Sequence, residues 1–375
     1  MAKAFLDALS LPRSSDPLLL DKDRLVWMAD YLSGLIEPSS GSVRESFNSI
    51  RYLSGGDGHI ALLALLLASG HLHPRFKDYL EVAIGWVSAK QDEEGSWHWG
   101  YEDSGPIVDP GSLLEVPPIT DIKLLDINQC MPMVLLTIYS SFFGEDDFVC
   151  AHGDKFLRGL NLFIDNNYDT YDGFFFSHHK YQSGAWSVVE RQTAMGQLWA
   201  YLGLRSAYAL AGTNKHKLLA DRIQNEFNTA FWSPVLGCYS TSRSGPAGTD
   251  KVKDQVTLRA DVQGFAPWVL GPSLTDAPGA IAKVVSWLRG DGITVSVPGY
   301  NDHVNNTSWL MLGLKAMGSN EPLRTTLRQK IRDNILEFYP DPKLGDGRAS
   351  EGLGSSTGWA WLALSDEPGC YTWWV

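Results

Sequence analysis

The sequence predicts an all-α fold, a single-domain (α/α)6 toroid in which six helical hairpins close into a barrel. Three observations carry this reading. A helix-period apolar run recurs six times, most of these runs stop at a glycine, and a charged, more amphipathic helix stands beside each one. A chain of 375 residues is long for one ordinary core, but a closed ring of helix pairs reaches that length without dividing, and no linker interrupts it.

The first outer helix, 24–36, belongs to an N-terminal segment (1–44) that continues into the toroid proper (45–375) as one domain. Inner helices follow at 60–69, 131–143, 194–211, 266–270, 309–317 and 359–364, the first five ending at Gly70, Gly144, Gly212, Gly271 and Gly318. Glycine just past a helix takes the terminating left-handed conformation at least cost. Outer helices alternate with them at 76–90, 147–166, 215–231, 277–289 and 323–338, their charged residues gathered on one face. The Gly- and aromatic-rich stretches 169–176 and 237–244 are predicted to form short hairpins.

Composition narrows the function. A net charge of -12 disfavours nucleic acids and anionic membranes, which attract basic surfaces, so neither is expected as a partner. No apolar run reaches the roughly 18 residues of a membrane span. Residues 1–10 lack a secretory signal pattern, and Cys130, Cys150, Cys238 and Cys370 are scattered without a CxxC pair. Free thiols and a cytoplasmic location are expected, and the acceptor patterns at Asn305 and Asn306 read as chance. The 14 tryptophans are the outlier, since Trp supplies a large apolar face with one donor, as ligand clefts require. The oligomeric state is not legible.

In such a ring the N-termini of the inner helices open onto one end of a central funnel, where unpaired N–H groups favour negative charge and hydroxyl oxygens. Polar residues precede every inner run. They are Asp57 and His59; Asp126, Asn128 and Gln129; Glu190, Arg191 and Gln192; Asp261 and Gln263; Asp302, His303, Asn305 and Asn306; and Glu351, Ser355 and Ser356. Helix capping accounts for many of them. It does not account for Arg191, His59 or His303, because a cation beside a helix N-terminus needs a compensating carboxylate or ligand.

The segment 91–101 adds Trp97, His98, Trp99 and Tyr101 as walls of the funnel, although Trp97 equally suits a plug between helix pairs. The segment 169–179 precedes Trp186 and Glu190 and should reach the rim. The adjacent His178 and His179 point in different directions, no metal-ligand spacing supports them, and no metal or cofactor is expected. Dinucleotide, phosphate-loop and nucleophile-elbow motifs are missing from the sequence.

The stretch from Asp126 through the Gly144-Glu145-Asp146-Asp147-Phe148 turn to Asp172-Gly173-Phe174 and His178-His179 resembles the unsaturated glucuronyl and rhamnogalacturonyl hydrolases of the six-hairpin glycosidase superfamily. The helix after Gln192 and the run Asn306-Thr307-Ser308-Trp309 are similar to α-L-rhamnosidase-type toroids. The resemblance spans roughly residues 45–365 and implies a sugar-active toroid. It departs at Asn128-Gln129, where the uronyl hydrolases carry an acid pair, so that Asp126 fills that role only through a shift of register. The superfamily's relatives also include epimerases that use paired histidines and toroids without hydrolytic activity.

The leading expectation is a glycoside hydrolase-like enzyme working on a carbohydrate or glycosylated small molecule by general acid and base. Its candidate carboxylates are Asp126, Glu190, Asp261 and Asp302, with Glu337 and Glu351 behind them. Trp97, Trp99 and Trp186 would stack on sugar rings and Arg191 would pair with an anionic group. Asp57, His59, His98, Gln129, His178, Gln263, His303, Asn306 and Trp359 complete the expected binding set. The alternative is a toroid cyclase or isomerase for a hydrophobic natural product, or a sugar epimerase. Residues 91–97 resemble the QxxxGSW motif of squalene-hopene and related terpene cyclases, without the DxDD acid of those enzymes. A non-catalytic scaffold, its funnel filled by its own side chains, is the third reading.

Overall fold

The computed structural model describes residues 22–44, 52, 57–71, 74–103, 105–107, 121–144, 146–271, 274–286, 288–289, 292–293, 303–318, 321–336 and 354–365. Twelve α-helices lie among them. The outer helices are α1 (Lys22–Gly34), α3 (Lys77–Ala89), α5 (Asp146–Asn167), α7 (Asn214–Phe231), α9 (Ala277–Val285) and α11 (Glu321–Leu336). The inner helices are α2 (Asp57–His71), α4 (Asp126–Phe143), α6 (Ala194–Ala211), α8 (Ala260–Leu270), α10 (His303–Ala316) and α12 (Gly354–Leu364). Each inner helix touches the next, and α12 returns to α2, which closes the ring. Outer helices fill the grooves between inner neighbours; α1, for example, lies on α2 and α12, where Trp361 Nε1 donates to Leu25 O at 3.1 Å.

Five of the six inner helices begin before their apolar runs, so most polar residues read as preceding them are their first turns. The reason is burial. An inner helix is surrounded by neighbours and is mostly apolar once inside the ring, whereas its first turn carries unpaired N–H groups that accept polar company. Gly144 and Gly212 end α4 and α6 in the left-handed conformation, as expected. Gly70 does not end α2, which continues to His71; its missing side chain makes room for the Phe142 ring. The predicted helix 277–289 stops at Val285, and Leu288–Arg289 pairs with Gly292–Ile293 as a short antiparallel ladder.

Glycines set the spacing of three inner pairs. A Cβ on Gly203 of α6 would lie 2.8 Å from Cβ of Cys130 on α4, one on Gly264 of α8 would lie 2.0 Å from the Trp309 carbonyl oxygen of α10, and one on Gly358 of α12 would lie 2.8 Å from the Ile60 carbonyl of α2. Lower in the ring an aromatic plug fills the centre. Trp199 and Phe265 approach to 4.5 Å, Trp359 packs within 5.3 Å of Phe265 and 5.8 Å of Trp309, and Trp268 closes the group.

Short hairpins carry chain from outer helices back to the mouth. Tyr168–Asp169 pairs with Phe174–Phe175, close to the predicted stretch 169–176, whereas Cys238–Tyr239 of the predicted stretch 237–244 pairs back with Trp232–Ser233, which lies before it. A three-stranded antiparallel sheet, Asp121–Lys123, His179–Gln182 and Ala185–Val188, borders the mouth beside α4. Residues 91–97 form a clamp between outer helices. Asp92 caps the N–H groups of Gly95 and Ser96, Gln91 donates to the Gly95 and Lys155 carbonyls at 3.0 and 2.7 Å, and Arg158 donates to Gln91. The motif that resembles terpene cyclases thus spends its polar groups on joining α3 to α5. Among the described residues no helix is long and apolar enough to cross a membrane.

Close helix contact gives a direct test. Gly264→Ala should destabilise the fold by about 3 kcal/mol or more, because backbone rather than a flexible side chain stands in the way. Gly85→Ala, in α3 with open space around it, should stabilise by about 0.5–1 kcal/mol. Denaturant midpoints of the two variants check both signs.

Candidate active site

Asp126 opens α4 and is only 7% exposed. Its Oδ1 accepts the Ile127 N–H at 2.7 Å, and its Oδ2 lies 3.3 Å from Thr193 Oγ1. Thr193 caps α6 by accepting the Gly196 N–H at 3.0 Å, which leaves its hydroxyl hydrogen for Asp126. Gly196 is required here, because a Cβ would sit 2.0 Å from Asp126 Oδ2. No ion pair to Asp126 forms among the described residues. Burial therefore outweighs the two hydrogen bonds and pushes its pKa up to about 6.

The loops beside Asp126 are fastened to the same helix ends. The Asp126 N–H donates to Ser177 O at 3.1 Å, and Ser177 Oγ lies 2.9 Å from His178 Nδ1. Asn128 donates to the carbonyls of His98 and Trp99 at 2.9 and 3.3 Å, and its own carbonyl oxygen is buried with no partner among the described residues. His98 Nδ1 is 3.0 Å from the Asp121 carboxylate, and Trp99 is half-buried. The fold thus gathers Asp126, Asn128, His98, Trp99, His178 and Thr193 at the junction of α4 and α6.

Asp261 repeats the arrangement on α8. Its Oδ1 accepts the Val262 N–H at 2.7 Å, but its Oδ2 pairs with Arg259 Nε at 3.0 Å. The other candidates are dispersed. Glu190 and Arg191 are exposed, with the Arg191 carbonyl accepting the Ser177 N–H at 2.9 Å. Trp186 stands on the rim sheet at 41% exposure. His59 is buried in the first turn of α2, where its Nδ1 has no partner among the described residues and burial lowers its pKa to about 3. Asp57 and His303 open α2 and α10, with side chains outside the described residues; Asp302, Glu337 and Glu351 lie outside altogether, as do the side chains of Ser355 and Ser356.

Several expected binding residues are taken up by the fold's own contacts. Gln263 exchanges two hydrogen bonds with the Tyr239 backbone, at 2.8 and 2.9 Å. Gln129, with its amide turned to satisfy both ends, accepts from the Trp97 N–H at 2.9 Å and donates to Gly159 O at 3.2 Å. Gln197, which the sequence did not single out, grips Phe175 in the same way at 2.9 and 2.8 Å. All three stand three residues into their helices, a spacing that was available as a signal; Asn306 holds the corresponding place in α10 and is buried. Trp97 lies between helix pairs against Gly159, donating to Val87 O at 2.8 Å, and Trp359 belongs to the aromatic plug.

A buried ionic network, also unforeseen, ties the rim loops together. Lys251, its side chain fully buried, donates to Asp169 at 2.7 Å and to the carbonyls of Pro246 and Thr249. Arg243 pairs with Asp172 at 3.0 Å while lying over the Phe174 ring. Burial alone would raise the pKa of Asp169, but hydrogen bonds from Lys251 and from the Tyr171 and Gly248 N–H groups outweigh it and hold the carboxyl below its ordinary value. Among the described residues no cluster of His, Cys, Asp or Glu is placed to hold a metal ion.

No protein-family model matches the chain, and no curated protein matches it. Solved structures do. Cellobiose 2-epimerase from Spirochaeta thermophila aligns with a TM-score of 0.66 at 12% identity, over 94% of this chain and 98% of its own. A sugar epimerase from a ruminal bacterium aligns at 0.61 and 11% identity, over 97% and 98% of the two chains. An inactive variant of the α-1,6-mannanase of Salegentibacter sp., in complex with α-1,6-mannotriose, aligns at 0.56 and 12%, over 94% and 99%. This chain is a six-hairpin α/α toroid. The toroid shares its ring with these proteins across nearly its whole length, at identities that speak for the fold alone.

The desolvated carboxyl of Asp126 makes a stability prediction. Its folded pKa, about 6, stands above the ordinary 3.8, so its contribution is fully present below pH 3.8 and is lost as the pH rises through 6. Asp126→Asn should therefore stabilise the toroid above pH 6 by about 3 kcal/mol and have little effect near pH 4. Thermal or denaturant unfolding at the two pH values measures the difference.

Proposed function

We propose that this toroid is a carbohydrate-active enzyme that binds a saccharide at the mouth beside α4 and α6 and cleaves a glycosidic bond by general acid and base catalysis. The observation that carries the reading is Asp126, a buried carboxyl at the mouth whose pKa is raised to about 6 with no cation against it among the described residues. Such a group keeps its proton up to about pH 6, well above an ordinary carboxyl, and delivers it to the leaving glycosidic oxygen. The bond from that oxygen to the anomeric carbon breaks as water adds to the carbon and a second carboxylate takes the water's proton.

Asp261 is the leading second carboxylate, since it stands in the first turn of α8 and pairs with Arg259 at 3.0 Å. Glu190 and Asp302 are the further candidates. Trp99 offers a ring face, His98 and His178 offer polar edges, and Arg191 offers a cation to an anionic substituent. The solved structures with the same ring include mannanases, epimerases and an isomerase, which supports a sugar as substrate.

His59 favours a second reading, epimerisation or isomerisation of a sugar. Its imidazole is neutral at neutral pH and its Nδ1 lone pair has no partner among the described residues, although a pKa of about 3 makes it a weak base for proton abstraction.

One experiment separates the two. The protein is incubated in D2O with α-1,6-mannotriose, cellobiose and an unsaturated uronide, and products are followed by NMR and mass spectrometry. Hydrolysis yields new reducing ends and falls about 10²–10⁴-fold in Asp126→Asn, with activity lost as the pH rises above 6. Epimerisation yields deuterium beside the carbonyl carbon without new reducing ends and is lost in His59→Ala. Hydrolysis undiminished in Asp126→Asn would sink the assignment of the acid.

A further inference from the structure

We propose that the Trp186 and Tyr181 face of the rim sheet is a second saccharide subsite, so that the substrate is an oligosaccharide or glycan chain rather than a single sugar. The proposal rests on the saccharide reading of the α4 mouth and extends it. In the antiparallel register Asp121, Tyr181 and Trp186 stand opposite one another in one row, on one face of the sheet. The rings of Tyr181 and Trp186 are 5.3 Å apart and tilted, and Lys123 Nζ lies 5.4 Å from the Trp186 ring centre. Trp186 remains 41% exposed, whereas Trp97, Trp268 and Trp361 are fully buried. An exposed indole flanked by a carboxylate, a phenol and an ammonium is the surface a sugar ring needs, with an apolar face to stack on and polar groups at the edge for hydroxyls.

Both strands run outward from the candidate centre. Lys123 lies three residues before Asp126, and the strand beginning at His179 follows His178, whose neighbour Ser177 accepts the Asp126 N–H. The five residues from Asp121 to Asp126 span at most about 18 Å, close enough for one oligosaccharide to occupy both places. Two rings and their polar flanks are too small a patch for a stable protein interface, which buries about 800 Å² per partner.

The test measures affinity against chain length in the Asp126→Asn background, in which hydrolysis is slowed about 10²–10⁴-fold. Isothermal titration with α-1,6-linked manno-oligosaccharides and with cello-oligosaccharides of one to four units is compared between that background and the same protein carrying Trp186→Ala or Trp186→Phe. In the background, affinity should rise about tenfold between the monosaccharide and the tetrasaccharide of the bound series, which is what covering one indole face is worth. Trp186→Ala should abolish the rise and Trp186→Phe should keep most of it, with circular dichroism melting curves confirming that both fold. A rise that survives Trp186→Ala, or monosaccharide binding with no rise at all, overturns the subsite while leaving the saccharide reading intact. Absence of binding by every sugar overturns both.

Discussion

Inner helices packed among their neighbours gather most of their polar groups at their ends. That constraint organises the whole molecule. The ring closes because α4 with α6, α8 with α10 and α12 with α2 approach until only glycine fits between them, at Gly203, Gly264 and Gly358. Inside it, the aromatic plug of Trp199, Phe265, Trp268, Trp309 and Trp359 occupies the centre. Polar side chains are left with the first turns, where unpaired N–H groups receive them and where the loops converge.

Those first turns serve two purposes at once. Gln129, Gln197 and Gln263 hold the backbone of Trp97, Phe175 and Tyr239, so chain returning from each outer helix is fixed against the inner helix that follows. Asp126 sits one helical turn from such a clamp without being part of it. Its carboxyl is desolvated by the fold and is held by one N–H and one hydroxyl, a combination that costs stability and raises proton affinity together. Asp261, with the same backbone contact but an arginine beside it, occupies a different electrostatic setting.

The ring and the chemistry are separate layers of the molecule. Proteins with the same ring include epimerases, an isomerase and a mannanase, so the fold leaves the reaction to individual side chains. Around the mouth the rim is stiffened by the buried Lys251 to Asp169 pair and by Arg243 with Asp172, which join loops that carry little regular structure. Breaking one partner of such a pair leaves a buried charge uncompensated.

The sequence by itself determined the repeat, because helix periodicity and apolar runs are local and each run reports its own burial. The helix 194–211 was legible to the residue, and Gly144 and Gly212 marked helix ends by their left-handed backbone. It also marked the first turns as the place where polar residues gather, though it read most of them as loops before the helices. Tertiary structure alone decided which of those residues remain available. Trp97 and Trp186 look alike in the sequence, yet one is packed on Gly159 and the other stands in solvent. Gln263 is a candidate ligand contact by its place in the sequence, and in the fold both ends of its amide engage the Tyr239 backbone. The Lys251 and Asp169 pair joins residues 82 apart, and the pKa of Asp126 depends on Thr193, 67 residues away, and on the burial around it. Local pattern fixes the period and polarity of a helix, but hydrogen-bond partners and desolvation depend on which distant segment arrives beside it.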